Sequence, residues 1–241
     1  MGRLVAEETL AAGAVVAGGT CRSGHAPADV AVFDDVAALA AMSDVVIDFT
    51  IAATVRAHAT ALAAAGVPWV LGTTGLSAAD EAAVATAAAK IAVLRAANFS
   101  PGVNLVLALA ERLGAALPED VYDAEIVEMH HRQKVDAPSG TALAIGGAVA
   151  AGRGKALKDV MVSGRDGHTG ARRTGEIGFA ALRGGQIAGS HSLLLTAGAE
   201  QIVLTHHAFD RRVFATGAVR AALWLHGRPA GLYGMRDVLE L

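Results

Sequence analysis

Cysteine is almost missing from this chain: Cys21 is the only one in 241 residues, so no intrachain disulfide can staple the fold. An excess of basic residues is missing as well. Twenty Lys and Arg face 23 Asp and Glu, a net charge of −3, and no field exists to hold a nucleic-acid backbone by counterion release. Nucleic acid is therefore not expected as a partner. There is no long apolar run either: the uncharged stretch Ala57 to Ala79 is interrupted by Gly66, Pro68, Gly72 and Gly75 and carries His58, so no membrane span is expected. No secretory leader pattern stands at Met1, and the cytoplasm is the expected compartment. Internal repeats and low-complexity linkers are absent too. What remains is a chain long enough for one large or two small domains. Its 53% hydrophobic content is inflated by 55 alanines, small helix-forming residues rather than bulky core.

The first half alternates β-branched runs with Ala-rich segments, the pattern of a parallel sheet with crossover helices. Strands are predicted at Ala14–Gly18, Val45–Phe49, Trp69–Leu71 and Ile91–Leu94, with helices near Val36–Ala41, Ile51–Ala65 and Ala78–Lys90. Gly66 reads as a helix C-cap, and Ser77 with Asp80 as a capping box. From Pro101 the pattern changes. A helix over Val103–Leu117 leads to a strand at Val121–Met129, a polar loop and a helix opening at Ser139. Strands at Val160–Ser163, Ile177–Leu182, Ser192–Thr196 and Gln201–His207 then follow one another without helices, which implies an antiparallel or mixed sheet. A last amphipathic helix is predicted over Arg211–His226. The fold class is α/β, a doubly wound parallel half followed by an α+β half.

A dinucleotide-binding fold places a strand and a Gly-rich turn before its first helix. Here the chain runs from Met1-Gly2-Arg3-Leu4 directly into a helical segment, and the expectation is a start assigned too late.

Charge is placed unevenly. His130 to Arg183 carries nine Lys and Arg against four acids, +5, leaving −8 for the rest, which suits a small anionic ligand better than a polyanion. A solvated basic face is the competing explanation. Within this segment lies His130-His131-Arg132-Gln133-Lys134-Val135-Asp136-Ala137-Pro138-Ser139-Gly140-Thr141, from a strand end to a helix start. The backbone N–H groups of a helix start at Ser139-Gly140-Thr141 suit a carboxylate, Lys134 and Arg132 add charge, and a histidine such as His130 can move a proton. The adjacent histidines point to opposite faces of a strand and are poor chelators, so no metal is expected.

Two loops fall at the carboxyl edge of the parallel sheet. Gly72-Thr73-Thr74-Gly75 follows one strand, and Ala96-Ala97-Asn98-Phe99-Ser100-Pro101 another. The first is either a ligand loop or a tight turn. In the second, Asn98 offers an amide to a nicotinamide and Phe99 an apolar face, or Asn98 forms an Asx-type turn. Past the second expected strand lies Arg22 with no acid beside it, which leans nucleotide choice towards NADPH over NADH.

Glu128-Met129-His130-His131-Arg132-Gln133-Lys134-Val135-Asp136-Ala137-Pro138-Ser139-Gly140-Thr141-Ala142 resembles the E-x-H-H-x-x-K-x-D-A-P-S-G-T-A signature of the bacterial dihydrodipicolinate reductase family. Val45–Thr50, Gly72–Gly75, Asn98–Asn104, Gly164–Gly170, Gly175–Phe179 and Arg183–Gly185 extend the resemblance along the whole chain. The resemblance implies a Rossmann-like domain over 1–101 with 210–241, and a substrate-binding and tetramerisation domain over 102–209. It implies NADPH- or NADH-dependent reduction of 4-hydroxy-tetrahydrodipicolinate, a dicarboxylate, in lysine and diaminopimelate biosynthesis, by a homotetramer. It further implies that His130 and Lys134 exchange protons and that His131, Ser139, Gly140 and Thr141 bind substrate. Arg22, Gly72, Thr73, Thr74, Ala96, Ala97, Asn98 and Phe99 would hold the cofactor. The family's glycine-rich turn survives only as Met1-Gly2-Arg3, and the loop after Arg22 is short. A cofactor-free remnant that binds a dicarboxylate without turnover is the alternative.

Overall fold

The computed structural model describes residues 1–21 and 30–241. In chain order the elements are α1 (Gly2–Ala11), α2 (Val36–Ala40), β1 (Val46–Asp48), α3 (Ala52–Ala65), β2 (Trp69–Leu71), α4 (Ala78–Ala88) and β3 (Ala92–Arg95). There follow α5 (Pro101–Ala116), β4 (Asp123–His130), α6 (Gly140–Gly152), α7 (Leu157–Val160), β5 (Met161–Ser163), β6 (Ile177–Arg183), β7 (Gly189–Thr196) and β8 (Gln201–Ala208). The chain closes with α8 (Arg212–Leu225), β9 (Gly231–Tyr233) and α9 (Met235–Leu239). Two compact units result: Met1–Pro101 with Arg212–Leu241, and Gly102–Arg211. Among the described residues no helix is long and apolar enough to cross a membrane.

The first unit holds a parallel sheet in the order β1-β2-β3-β9. Side chains alternate across a strand, so each strand feeds two cores. Trp69, Leu71 and Val93 pack with Val55, Ala59 and Leu62 of α3 and Val84 and Ala87 of α4. Val70, Ala92 and Leu94 point the other way, onto Ala218, Ala221 and Leu225 of α8. That two-sided burial explains why β2 is apolar throughout. The helix punctuation is as read from sequence: Gly66 ends α3 in the left-handed region, and Ser77 with Asp80 forms the capping box of α4.

Three expectations are corrected. Ala14–Gly18 is not a strand; among the described residues only an isolated parallel bridge, Gly19 to Val32, forms nearby. Val15 is 88% exposed, and an apolar run with no ladder among the described residues gains little from extending. The sheet also gains β9 and the chain gains α9, which the sequence reading lacks, because Gly-Leu-Tyr has none of the β-branched run that marks a strand.

Helix α8 lies so close to the β3 loop that a methyl group on Gly217 would collide with the Phe99 carbonyl oxygen. In a free helix Gly→Ala gains about 1 kcal/mol of propensity. Here overpacking, worth about 1–3 kcal/mol, opposes it. Gly217→Ala is therefore expected to lower the urea midpoint, and a raised midpoint would show that the loop yields without cost.

The second unit holds a mixed sheet, β5-β6-β4-β7-β8, with β5, β6 and β4 parallel and β7 and β8 antiparallel. Val106 and Ala110 of α5 and Ile145 and Val149 of α6 pack on Ala124, Ile126, Phe179, Leu193 and Leu195. The register sets Glu128 of β4 opposite His191 of β7, and His130 of β4 opposite Arg183 of β6.

Candidate active site

Along β4 the inward positions are Ala124, Ile126, Glu128 and His130. The first two continue into the apolar core; the last two are polar. Glu128 is 1% exposed, and an unpaired carboxylate so placed would cost several kcal/mol. It is fully engaged instead. Arg183 donates to both oxygens, Nη2 to Oε1 at 2.7 Å and Nη1 to Oε2 at 2.8 Å. The Ser139 N–H donates to Oε1 at 3.0 Å, and His130 Nδ1 lies 2.6 Å from Oε2. Burial alone would raise this carboxyl, but the Arg183, His130 and Ser139 contacts outweigh it and hold it below the ordinary range.

His191 sits edge-on to His130, ring centroids 5.0 Å apart. Its Nε2 is 3.0 Å from the Ser139 hydroxyl, and its buried Nδ1 has no hydrogen-bond partner among the described residues. Burial, and then repulsion from His130, push it down from 6.5 to about 4. Above pH 6.5 it is neutral folded or unfolded; below that the unfolded chain takes the proton first. Stability should fall by up to ~3 kcal/mol between pH 6.5 and 4 on this account. Urea midpoints at pH 7 and 4.5 for wild type and His191→Phe test it: the variant should lose less on acidification, and an equal loss would contradict the assignment.

After β4 the chain turns through an exposed loop. Lys134 Nζ pairs with both oxygens of Asp136 at 2.7 and 2.9 Å, and that pairing lowers the Asp136 carboxyl. Arg183 Nη2 also donates to the Asp136 carbonyl at 2.7 Å. Ser139 then caps α6, its hydroxyl accepting the Ala142 N–H at 3.2 Å. No acid lies in the first turn of α6, Gly140 is exposed, and a side chain there would meet nothing within 4 Å. The helix start is thus open to an anion, with Lys134 in the loop that leads into it. His131 is half-buried, its N–H on the Ile187 carbonyl at 2.8 Å.

All six residues expected around the substrate therefore fall on the end of β4, its loop and the first turn of α6. Ser139 is 2% exposed and spends its hydroxyl on His191 and Ala142, an internal capping role. Arg183 and His191 were not singled out from sequence, since only the strand register brings them to Glu128 and His130. Glu128 lies two residues before His130, so period-two alternation alone could have placed both on one face.

In the first unit, the loops after β1, β2 and β3 share the carboxyl edge of the parallel sheet. Asp48, at the end of β1, accepts from the Thr50 N–H (2.9 Å), the Thr50 hydroxyl (2.6 Å) and the Thr73 hydroxyl (3.4 Å), and pairs with His58 Nδ1 at 2.8 Å. Burial would raise its carboxyl; His58 and Thr50 outweigh that and lower it. A Cβ on Gly72 would run into the Phe49 ring beneath it. Phe99 is buried edge-on against Phe49, and Asn98 Oδ1 accepts the Ser100 N–H at 2.8 Å, the turn anticipated for it. Thr74 and Ala97 are exposed, and Gly72, Ala96 and Asn98 are half-buried. Small residues on two loops at one sheet edge, with Gly75 opening on free space, fit the close approach of a nucleotide. Arg22 lies outside the described residues.

Residues 1–99 match the family described as Dihydrodipicolinate reductase, N-terminus, and residues 102–239 that described as Dihydrodipicolinate reductase, C-terminus. The chain is 67% identical to the 4-hydroxy-tetrahydrodipicolinate reductase of Acidiphilium cryptum, over 100% of this chain and 94% of that protein. It is 63% identical to the reductase of the same name from Gluconacetobacter diazotrophicus, over 100% and 93%. Among solved structures, dipicolinate-bound dihydrodipicolinate reductase from Paenisporosarcina sp. TG-14 is similar, with TM-score 0.70 and 28% identity over 89% of this chain and 82% of that one.

Proposed function

The chain belongs to the dihydrodipicolinate reductase family, and from that premise we propose how it reduces 4-hydroxy-tetrahydrodipicolinate in lysine and diaminopimelate biosynthesis. It is an NAD(P)H-dependent oxidoreductase. The observation that carries the assignment of roles is the joining, within one strand end, loop and helix start, of a buried Glu128–His130 pair, the Lys134 ammonium and a helix start with no acid in its first turn and an exposed Gly140.

A substrate carboxylate is received by the Gly140 and Thr141 N–H groups, and His131 is a further substrate-binding residue. When bound, the nucleotide would supply hydride to the conjugated imine that forms as the 4-hydroxyl leaves as water, and Gly72, Thr73, Thr74, Ala96, Ala97, Asn98 and Phe99 are the residues that would hold it. Electron density arriving at the imine nitrogen must be met by a proton, and His130 and Lys134 are the groups that bring it. Residues 1–101 with 210–241 form the nucleotide domain and 102–209 the substrate domain. Copies assemble through the second domain's sheet into a homotetramer in the cytoplasm; Val203 on β8 and Phe209 beyond it are exposed, as such an interface requires.

Nicotinamide oxidation by the purified protein, with substrate made in situ from pyruvate and aspartate semialdehyde, tests this reading with NADH and NADPH in parallel. Turnover is expected. Silence with both nucleotides, together with no saturable change in Trp69 and Trp224 fluorescence on nucleotide titration, would leave a protein that binds a dicarboxylate without reducing it.

A further inference from the structure

We propose that Arg183 is a positioning residue for both proton-handling groups, setting His130 through Glu128 and Lys134 through the Asp136 loop. This rests on the reductase reading above and adds a residue to it. The guanidinium makes four hydrogen bonds at once: Nη1 and Nη2 to the two oxygens of Glu128, Nη2 to the Asp136 carbonyl at 2.7 Å, and Nη1 to the Leu182 carbonyl at 2.6 Å. A planar fork can serve these acceptors together; a single ammonium cannot.

On one side, the fork fixes Glu128 as an ionised acceptor. Its Oε2 is 2.6 Å from His130 Nδ1, and a carboxylate offers only lone pairs, so Nδ1 must carry the hydrogen. That leaves Nε2 as the nitrogen that gains and loses a proton. The space beside Nε2 is kept open by Gly189, where a Cβ would stand 3.2 Å away. On the other side, the same guanidinium anchors the backbone of Asp136, whose carboxylate holds Lys134 Nζ. One side chain on β6 thus ties together a strand end and a loop that sequence separates from it by about fifty residues, 55 to Glu128 and 47 to Asp136. Neutralising a buried charge requires only a cation near Glu128; it does not require the contact to Asp136.

The test separates these roles. In the substrate-free protein, ¹⁵N NMR of His130, assigned with His130→Asn, should show the neutral ring protonated on Nδ1, and Arg183→Met should shift it towards Nε2. With substrate, kcat of Arg183→Met should fall about 100-fold, within the range of a positioned acid–base group, while KM moves less than about threefold. Arg183→Lys should recover the thermal midpoint but not kcat, and it keeps the comparison available if the Met variant does not fold. A wild-type ring protonated on Nε2, an unshifted tautomer in the variants, or full recovery of kcat by lysine would each overturn the proposal. Because the tautomer is read without turnover, an inactive wild type with the expected tautomer would count against the reductase reading and not against Arg183.

Discussion

Lys134→Ala is expected to lower kcat by about 10²- to 10⁴-fold, the usual contribution of a positioned general acid, while the thermal midpoint barely moves. The two halves of that expectation come from different parts of the structure. Lys134 is anchored in a loop, 19% exposed, and its partner Asp136 is 55% exposed, so their ion pair contributes about 0–1 kcal/mol to folding. Steady-state kinetics beside a melting curve decide the matter. Unchanged turnover would remove Lys134 from the mechanism; a collapsed midpoint would show that the loop matters to the fold after all.

Glu128→Ala should do the reverse of this and strike stability first, by about 3–5 kcal/mol, the cost of breaking a buried pair by deleting one partner. The deletion strands a buried Ser139 N–H and the His130 Nδ1 hydrogen, and empties a space inside the sheet–helix layer. Arg183 is 21% exposed and keeps its Leu182 and Asp136 carbonyls, so part of its charge is met by water, which places the cost towards the lower end. The acid limb should change too. The folded carboxyl is held below its ordinary 4.5, so the stability it supplies is complete above 4.5 and is lost as pH falls through the folded value. Urea titrations at pH 7 and pH 3.5 should show the gap between wild type and variant narrowing in acid. A loss under 1 kcal/mol at pH 7 would mean that water replaces the carboxylate without penalty.

The first unit was legible because its signals are local. Ser77 and Asp80 are three residues apart, Gly66 follows its helix directly, and the apolar strand of Trp69 to Leu71 announces burial on both faces. The failures have a common cause. Val15 and its neighbours have the composition of a strand, but whether a strand forms depends on a ladder that composition does not reveal. β9 carries no strand composition and forms because β3 offers it an edge. The site divides in the same way. His130, Lys134 and the α6 cap lie within twelve residues and could be read together, whereas Arg183 and His191 arrive by register across β6 and β7. Gly72 was legible as a loop glycine, but the Phe49 ring that fills the space a Cβ would take was not, because that contact links two different strand ends.

The first unit is interrupted and the second is continuous, which has a consequence during synthesis. Gly102–Arg211 leaves the ribosome as an uninterrupted stretch able to fold, while Val70, Ala92 and Leu94 of the first unit still lack the α8 face that covers them. At about 5–20 residues per second, the intervening stretch holds that sheet face and the free edge of β3 bare for roughly 5–20 s. A nascent chain of this protein therefore presents an apolar sheet face and an unpaired edge through nearly half of its translation, and the interval in which a chaperone can act is set by the length of the inserted unit rather than by the folding rate of the sheet itself.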